Sequence, residues 1–289
     1  MNPDLLQKIK SPPGPWLPGP RTLLRLTGQD RVRFLNGQVT QDLKKLLPGH
    51  AVRAAIISAK GRLEADLRIS ATSEALLLET DWILREPLRA RLEKFIIADD
   101  VAVEDISSSF LLAHFLSLSS LPAEAPFDAL SFSCARFREP GLDLWIPVSA
   151  TWNPQASPLS AWEPLRICRG LPLWGVDIGS DTLPPEAGFE SDAISSTKGC
   201  YIGQEVISRL RSVGHVNRHL CVIGTENTTH PAGNDCTMQD GSVIGKISSF
   251  TPLPNQTGQI ALAMIRREQA QPGNSILAGG IVWTILRHA

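Results

Sequence analysis

The sequence holds one tyrosine in 289 residues, five cysteines without a CxxC spacing, and no long uninterrupted apolar run. Each scarcity excludes something. Odd, scattered cysteines do not make a disulfide framework or a standard zinc knuckle, so Cys134, Cys168, Cys200, Cys221 and Cys236 stand as separate thiols. The longest mostly apolar stretch, Ile276 to Leu286, contains Gly279 and Gly280 and falls short of the ~20 residues a spanning helix needs. Charge of one sign is also missing. With 28 Lys+Arg against 29 Asp+Glu the net charge is -1, so no global basic field draws in nucleic acid or an anionic membrane. Pro12, Pro13, Pro15, Pro18 and Pro20 fall where a secretory signal needs apolar continuity, and a cytoplasmic location is expected. His215 and His219, two residues ahead of Cys221, would share a helix face, but Gly214 and the β-type run beyond argue against a helix there. No metal site is expected.

An apolar fraction of 43% supports real cores, and a typical domain length of ~150 residues divides the chain into about two domains. A proline-rich arm (1–20) leads into a strand at Thr22 to Leu26 and a helix opening at Asp30, an N-cap candidate. Ala51 to Ile57, Arg62 to Ile69 and Ala75 to Glu79 read as an antiparallel meander turned at Ala59-Lys60-Gly61. Leu84, Leu88, Leu92 and Phe95 give Trp82 to Ile97 a helical apolar stripe. Strands at Val101 to Ile106 and Phe110 to Phe115 follow, an order typical of an α+β layer rather than a doubly wound sheet. Further strands are expected near Leu130 to Phe137 and Leu142 to Pro147, with a helix from Ser160 to Arg169. From Leu220 short β-type runs separated by turns predict a small barrel, so the expected domains are 21–214 (α+β, two subdomains) and 215–289 (barrel).

One segment carries chemistry: Lys198-Gly-Cys-Tyr-Ile-Gly-Gln-Glu-Val-Ile-Ser-Arg-Leu. Ile202, Val206 and Leu210 share a helical face, which predicts a helix over 201–210 with Cys200 at its N-terminal edge. There the macrodipole and the nearby Lys198 favour a thiolate, against the plainer role of a small residue packed under a helix start. Gly203 costs a helix about 1 kcal/mol and implies that a ligand or a neighbouring element comes close to its backbone. Tyr201 offers a phenol to a ligand or stacks in the core. Glu205 either pairs with Arg209 one turn on or accepts paired N–H bonds from an amino-heterocycle.

Lys198-Gly-Cys-Tyr-Ile-Gly-Gln-Glu closely resembles the signature of the YgfZ family of folate-binding proteins, relatives of the glycine-cleavage T-protein, a folate-dependent aminomethyltransferase. Phe34-Leu-Asn-Gly-Gln-Val-Thr-Gln-Asp-Leu, Lys60-Gly-Arg-Leu-Glu-Ala-Asp-Leu, Arg169-Gly-Leu-Pro and Gly214-His-Val-Asn-Arg extend the resemblance from about Leu23 to the end. The resemblance implies a T-protein-like α+β fold: two antiparallel subdomains forming a folate-binding region, with a C-terminal barrel. It implies tetrahydrofolate or a derivative as cofactor, and a role in assembling or repairing iron-sulfur clusters, with effects on enzymes that modify tRNA. Cys200 would be the functional thiol, with Lys198, Gly199, Tyr201, Gly203, Gln204 and Glu205 completing the signature. Where the transferase has an Asp-Asp pair in the early hairpin, this chain reads Ala65-Asp66, leaving Asp66 as the one candidate base.

Three readings follow. In the first, folate binds and Cys200 acts as a transiently bonded or redox-sensitive thiol toward iron-sulfur clients or assembly proteins; one cysteine is too few to retain a cluster that takes about four ligands. In the second, the chain is a tetrahydrofolate-dependent aminomethyltransferase or demethylase using Asp66. In the third, Arg209, Arg211, Arg218 and His219 form an RNA-binding patch, which in a neutral chain is more simply a solvated face; direct nucleic-acid binding is not expected. Catalytic candidates are thus Cys200, Lys198 and Asp66, and cofactor candidates Tyr201, Gly203, Gln204, Glu205 and Arg209; Arg166 and Arg169 are further cations for a folate tail.

Overall fold

A computed structural model describes residues 9–254 and 257–289; the first eight residues of the proline-rich arm lie outside that range. The chain forms two compact units that do not follow chain order. Pro13–Leu159 with Glu190–Ile207 make one, and Ser160–Phe189 with Ser208–Ala289 and the described residues 9–12 make the other.

The first unit is α+β. Strands β1 (Arg21–Thr27), β2 (Ala51–Ile57), β3 (Leu63–Ala71), β4 (Leu76–Asp81) and β5 (Ala102–Asp105) form an antiparallel sheet in the order β2-β3-β4-β1-β5. The expected meander is its β2-β3-β4 part. Helix α1 (Arg31–Gln38) follows β1, and α2 (Arg85–Phe95) follows β4. Asp30 does not cap α1 with its side chain; its carboxylate accepts from the Asp100 N–H at 2.9 Å and pairs with Arg33. The stripe of Leu84, Leu88 and Leu92 is buried as expected, but the helix is preceded by a 3-10 turn over Trp82–Leu84, where the Asp81 carboxylate accepts from Ile83 N–H. A second sheet of β6 (Phe110–Leu116), β7 (Leu130–Cys134) and β8 (Gly141–Pro147) has the order β6-β8-β7. Leu112, Phe132 and Trp145 of this sheet pack with Leu23, Leu77 and Ile106 of the first. The described part of the arm is tied down: Trp16 and His114 exchange two backbone hydrogen bonds of 2.9 Å.

The second unit contains a closed antiparallel barrel. Helix α3 (Leu159–Cys168) and helix α4 (Gln204–Ser212) precede β9 (Arg218–Thr225), β10 (Asp235–Thr237), β11 (Val243–Pro252), β12 (Gln259–Arg266), β13 (Ser275–Ala278) and β14 (Ile281–His288). The strand order is β10-β11-β12-β9-β14-β13, and closure removes exposed sheet edges. Ser160–Phe189 belongs with the barrel for a chemical reason. The buried Asp177 carboxylate accepts from Ser249 Oγ at 2.7 Å on the bulged stretch of β11, from Arg166 Nη1 at 3.0 Å and from Leu173 N–H at 2.8 Å. No helix of the described residues is long and apolar enough to cross a membrane.

Candidate functional site

Helix α1 ends at Gln38, where its last carbonyls lose their intrahelical donors. Lys198 answers them from 160 residues away in sequence. Its Nζ donates to the carbonyl oxygens of Asn36 (2.7 Å), Val39 (2.6 Å) and Gln41 (2.8 Å), using all three ammonium hydrogens at the negative end of the helix. Lys198 is buried, and burial pulls its pKa down to about 8, still above neutrality. Tyr201, also buried, lies with its ring centroid 5.1 Å from the same Nζ. Lys198 is therefore an anchor that fixes the loop ahead of α4, with its nitrogen fully engaged.

Other contacts bind the same loop to the two early motifs. Thr40 Oγ1 donates to Ala193 O at 2.6 Å and accepts from Ala55 N–H of β2, while Ser195 N–H donates to Thr40 O. Ile202 N–H donates to Gly37 O at 3.3 Å. At Gly203 a Cβ would stand 2.4 Å from the Ser58 carbonyl oxygen, and its φ of +82° is the left-handed region glycine accepts readily. The close neighbour expected at Gly203 is thus the backbone of the β2-β3 turn. Gly61, in that turn, is pressed in the same way by Val206. Three motifs far apart in sequence make one joint.

The left-handed Gly203 also moves the helix start. A residue at φ +82° cannot continue an α-helix, so α4 begins at Gln204 and Cys200 stands four residues ahead of it. Cys200 does not occupy the helix N-terminus. The macrodipole acts mainly within the first turn, which removes that cause for activating the thiol. Cys200 is exposed, whereas Cys134, Cys168, Cys221 and Cys236 are buried. Gln204 is part-buried, and Glu205 and Arg209 are exposed. Ile207 is the fully buried apolar residue of α4; Val206 and Leu210 of the expected face lie on the helix part-buried, and Ile202 falls ahead of its start.

Asp66 lies on β3 and faces Arg53 of β2. Arg53 Nε and Nη2 donate to the two Asp66 oxygens at 3.0 and 2.8 Å, and its Nη1 reaches Asp192 at 3.3 Å. Burial opposes the Arg53 charge, but the Asp66 and Asp192 carboxylates outweigh it and hold the guanidinium pKa above its usual value. Both oxygens of Asp66 are thus occupied. Arg166 is likewise committed, to Glu163 and Asp177.

Two further features were not read from the sequence. Beside the anchor, Gln41, Ser195, Lys45, His50, Leu47 and Val52 help line an open cavity of about 420 Å³. Between the two sheets lies a buried polar cluster. His114 Nδ1 is 2.8 Å from Asp143 Oδ1, and since a carboxylate only accepts, the proton sits on Nδ1. Arg136 grips Asp143 at 2.6 Å and Glu79 at 3.0 Å. Burial pushes His114 below its ordinary pKa and the Cys134 thiol up to about 12. Ligand atoms of His114, Cys134 and Asp143 lie within 4.8 Å of one another, yet the Arg136 cation already takes both Asp143 oxygens, a poor setting for a second cation. Alternating apolar strand patterns conceal such a cluster; its trace in the sequence is one titratable residue inside each apolar run, His114 and Asp143.

No family model matches the sequence. Curated relatives do. The chain is 27% identical over 290 residues to a putative chloroplastic transferase of Arabidopsis thaliana, covering 89% of this chain and 66% of that protein, just under two thirds of its length. It is 27% identical over 242 residues to the tRNA-modifying protein YgfZ of Yersinia pestis, covering 76% of this chain and 73% of that one. Among solved structures, the glycine cleavage system aminomethyltransferase T of Bartonella henselae superposes with a TM-score of 0.77 at 17% identity, over 92% of this chain and 82% of that chain. The α+β architecture with a C-terminal barrel and the resemblance read from the signature are both borne out: the chain is similar in sequence to YgfZ proteins and shares the fold of aminomethyltransferase T.

Proposed function

We propose that the chain is a folate-binding factor for the assembly or repair of iron-sulfur clusters, supporting enzymes that include tRNA-modifying ones, with Cys200 as its working thiol. The observation that carries this reading is the joint itself. Lys198, Thr40, Gly203 and Gly61 spend their contacts on fixing one loop, and the nucleophilic thiol that loop leaves exposed, beside Ser196, Thr197 and Gly199, is Cys200. A thiol held in the open on a rigid loop suits transient bonding to a client's sulfur or to a cluster iron in transit. The similarity to a tRNA-modifying YgfZ protein supports the setting. Gln204 and Glu205 beside it present an amide and a carboxylate, groups that match the amino and ring nitrogens of a pteridine, so the donor set fits tetrahydrofolate or a derivative. The folate, when bound, supplies a reduced pteridine and a one-carbon carrier; the chain's own part is to orient it and to offer the thiol. The proposed domains keep the folate region within 21–214 and the barrel within 215–289. We place the chain in the cytoplasm, although the name of the Arabidopsis relative assigns that protein to the chloroplast.

The aminomethyltransferase reading is favoured by the shared fold and opposed by Asp66. A carboxylate gripped at both oxygens by Arg53 is a poor base until that pair opens. The deciding experiment expresses wild type, Cys200→Ala and Asp66→Asn in cells lacking the protein and measures an iron-sulfur enzyme that modifies tRNA. Cys200→Ala is expected to lose most of the rescue while Asp66→Asn keeps it. Equal rescue by Cys200→Ala and wild type ends the thiol reading.

A further inference from the structure

The cavity beside the Lys198 anchor is built within the α+β unit, from the turn ahead of β2, the first residues of β2 and Ser195 of the signature loop. Its volume of about 420 Å³ falls in the range of ~300–1,000 Å³ typical of small-molecule sites. Backbone hydrogen bonds pin its walls. Gly49 N–H donates to Ala71 O at 2.9 Å, Ser133 N–H to Gly49 O at 2.8 Å, and Leu43 N–H to the Asn36 side-chain oxygen at 2.9 Å. On the apolar side, Ala51 and Val52 are half-buried and Leu47 is 63% exposed, hydrocarbon left open to the cavity.

The polar side has donors to spare. Ser195 Oγ accepts from Thr197 N–H at 3.4 Å and Lys198 N–H at 3.2 Å, so its own O–H is left to donate. Gln41 spends Oε1 on Asp42 N–H and one amide hydrogen on Asp192 O, which leaves the other hydrogen. Lys45 has 77% of its side chain exposed, and its ion pair is a 3.7 Å contact with Asp42. The Asp42 carboxylate, the anion of the lining, is engaged by that ammonium and by Lys44 N–H at 3.1 Å. His50 places its Nδ1–H on Pro48 O at 3.2 Å and adds one acceptor at Nε2. Unspent donors, an exposed cation and an apolar wall are complementary to an anion carried on an apolar body. One cation, partly offset by Asp42, matches a monoanion better than a phosphate.

Two of the lining residues also hold the anchor. Gln41 O accepts from Lys198 Nζ at 2.8 Å, and Ser195 Oγ accepts from the Lys198 N–H. An occupant that touches both residues ties the turn ahead of β2 to the start of the loop that carries Cys200. We infer that the cavity binds a small carboxylic acid with an apolar body, and that the occupant braces this loop. The carboxylate meets Lys45, Ser195 and Gln41, and the apolar part lies against Leu47, Ala51 and Val52. The binding is read from the cavity alone; what bracing does for function rests on the thiol reading above.

The test titrates the full chain with naphthalene-2-carboxylate, with its neutral amide and with acetate, in wild type, Lys45→Glu and Val52→Trp. Lys45 is on the surface, so Lys45→Glu folds whatever becomes of the filled cavity in Val52→Trp. Naphthoate is expected to bind wild type about 10- to 100-fold more tightly than Lys45→Glu, whereas the amide binds more weakly and alike to both. Acetate, lacking the apolar body, is expected not to bind, and Val52→Trp to lose naphthoate. Saturating naphthoate should slow amide exchange over residues 195–203 in wild type and leave it unchanged in Lys45→Glu. Equal naphthoate binding by wild type and Lys45→Glu, or none by wild type up to about 1 mM, overturns the inference. Binding that leaves the exchange of 195–203 unchanged overturns it too. If Cys200→Ala rescues cells as well as wild type while naphthoate binds and slows exchange, the thiol reading fails and the cavity site stands.

Discussion

The interior of the barrel and the space between the two sheets of the α+β unit are built from opposite materials. Ile223, Ile265, Ile276, Trp283 and Ile285 fill the barrel with hydrocarbon, and Cys221 and Cys236 sit among them as small apolar residues. Between the sheets, Trp145 and Phe132 share space with Arg136, Glu79, Asp143 and His114, all buried. Closure satisfies the barrel's backbone through its own ladder, so its interior needs no charge. The sheets carry ions that are tolerable while every partner is present. Stability in the barrel is spread over many equivalent contacts; in the α+β unit it is concentrated in a few residues, and that is the unit whose loop presents Cys200.

The largest effect that would break this contrast is at Arg136. Arg136→Met leaves Asp143 and Glu79 buried with less compensation and is expected to cost the α+β unit about 3–5 kcal/mol. Hydrogen exchange read by mass spectrometry should show faster opening of β6, β7 and β8, with the barrel strands unchanged. Slow exchange retained in β8 would mean that the cluster is not a keystone. A barrel substitution gives the reference: Ile223→Ala removes a fully buried side chain and is expected to cost about 2–4 kcal/mol, confined to β9 and its neighbours.

Acid sharpens the same comparison without mutation. Burial raises Asp143 and Glu79, but Arg136 and their other cationic partners outweigh it and hold both below their ordinary values of 3.8 and 4.5, while burial holds His114 below 6.5. In each case the unfolded chain takes up protons first. Stability from these groups is therefore fully present above about pH 7 and declines as pH falls, first through the histidine and then through the carboxylates. Pulsed exchange after incubation at stepped pH should show β6–β8 opening before the barrel, whose core has no such groups. Simultaneous opening would contradict the assignment.

Much of this arrangement is legible in the residues. Apolar alternation located the β2-β3-β4 meander, and the turn-separated runs after Leu220 predicted a barrel, because both follow from short-range periodicity. Helical spacing alone puts the start of α4 at Tyr201, three residues before its true start at Gln204, since a glycine's φ is set by what presses on it, here the Ser58 carbonyl 145 residues away in sequence. The role of Lys198 was hidden for the same reason. Nothing local distinguishes a lysine that activates a thiol from one that caps a distant helix; its three acceptors are decided by the fold.

That distinction yields the smallest and most local effect. Lys198→Met keeps much of the buried stem and removes the ammonium, leaving the carbonyls of Asn36, Val39 and Gln41 without their common donor. The expected cost is about 1–3 kcal/mol, part of it recovered if water enters. It should appear as faster amide exchange over residues 195–203 and at the end of α1, with β6–β8 and the barrel unaffected. If Lys198 instead acted directly on the thiol, Lys198→Met would change the alkylation rate of Cys200 while loop exchange stayed slow. Loosening of the loop with alkylation nearly unchanged is the outcome the geometry predicts, because Cys200 is already exposed and the Lys198 nitrogen is turned toward carbonyl oxygens.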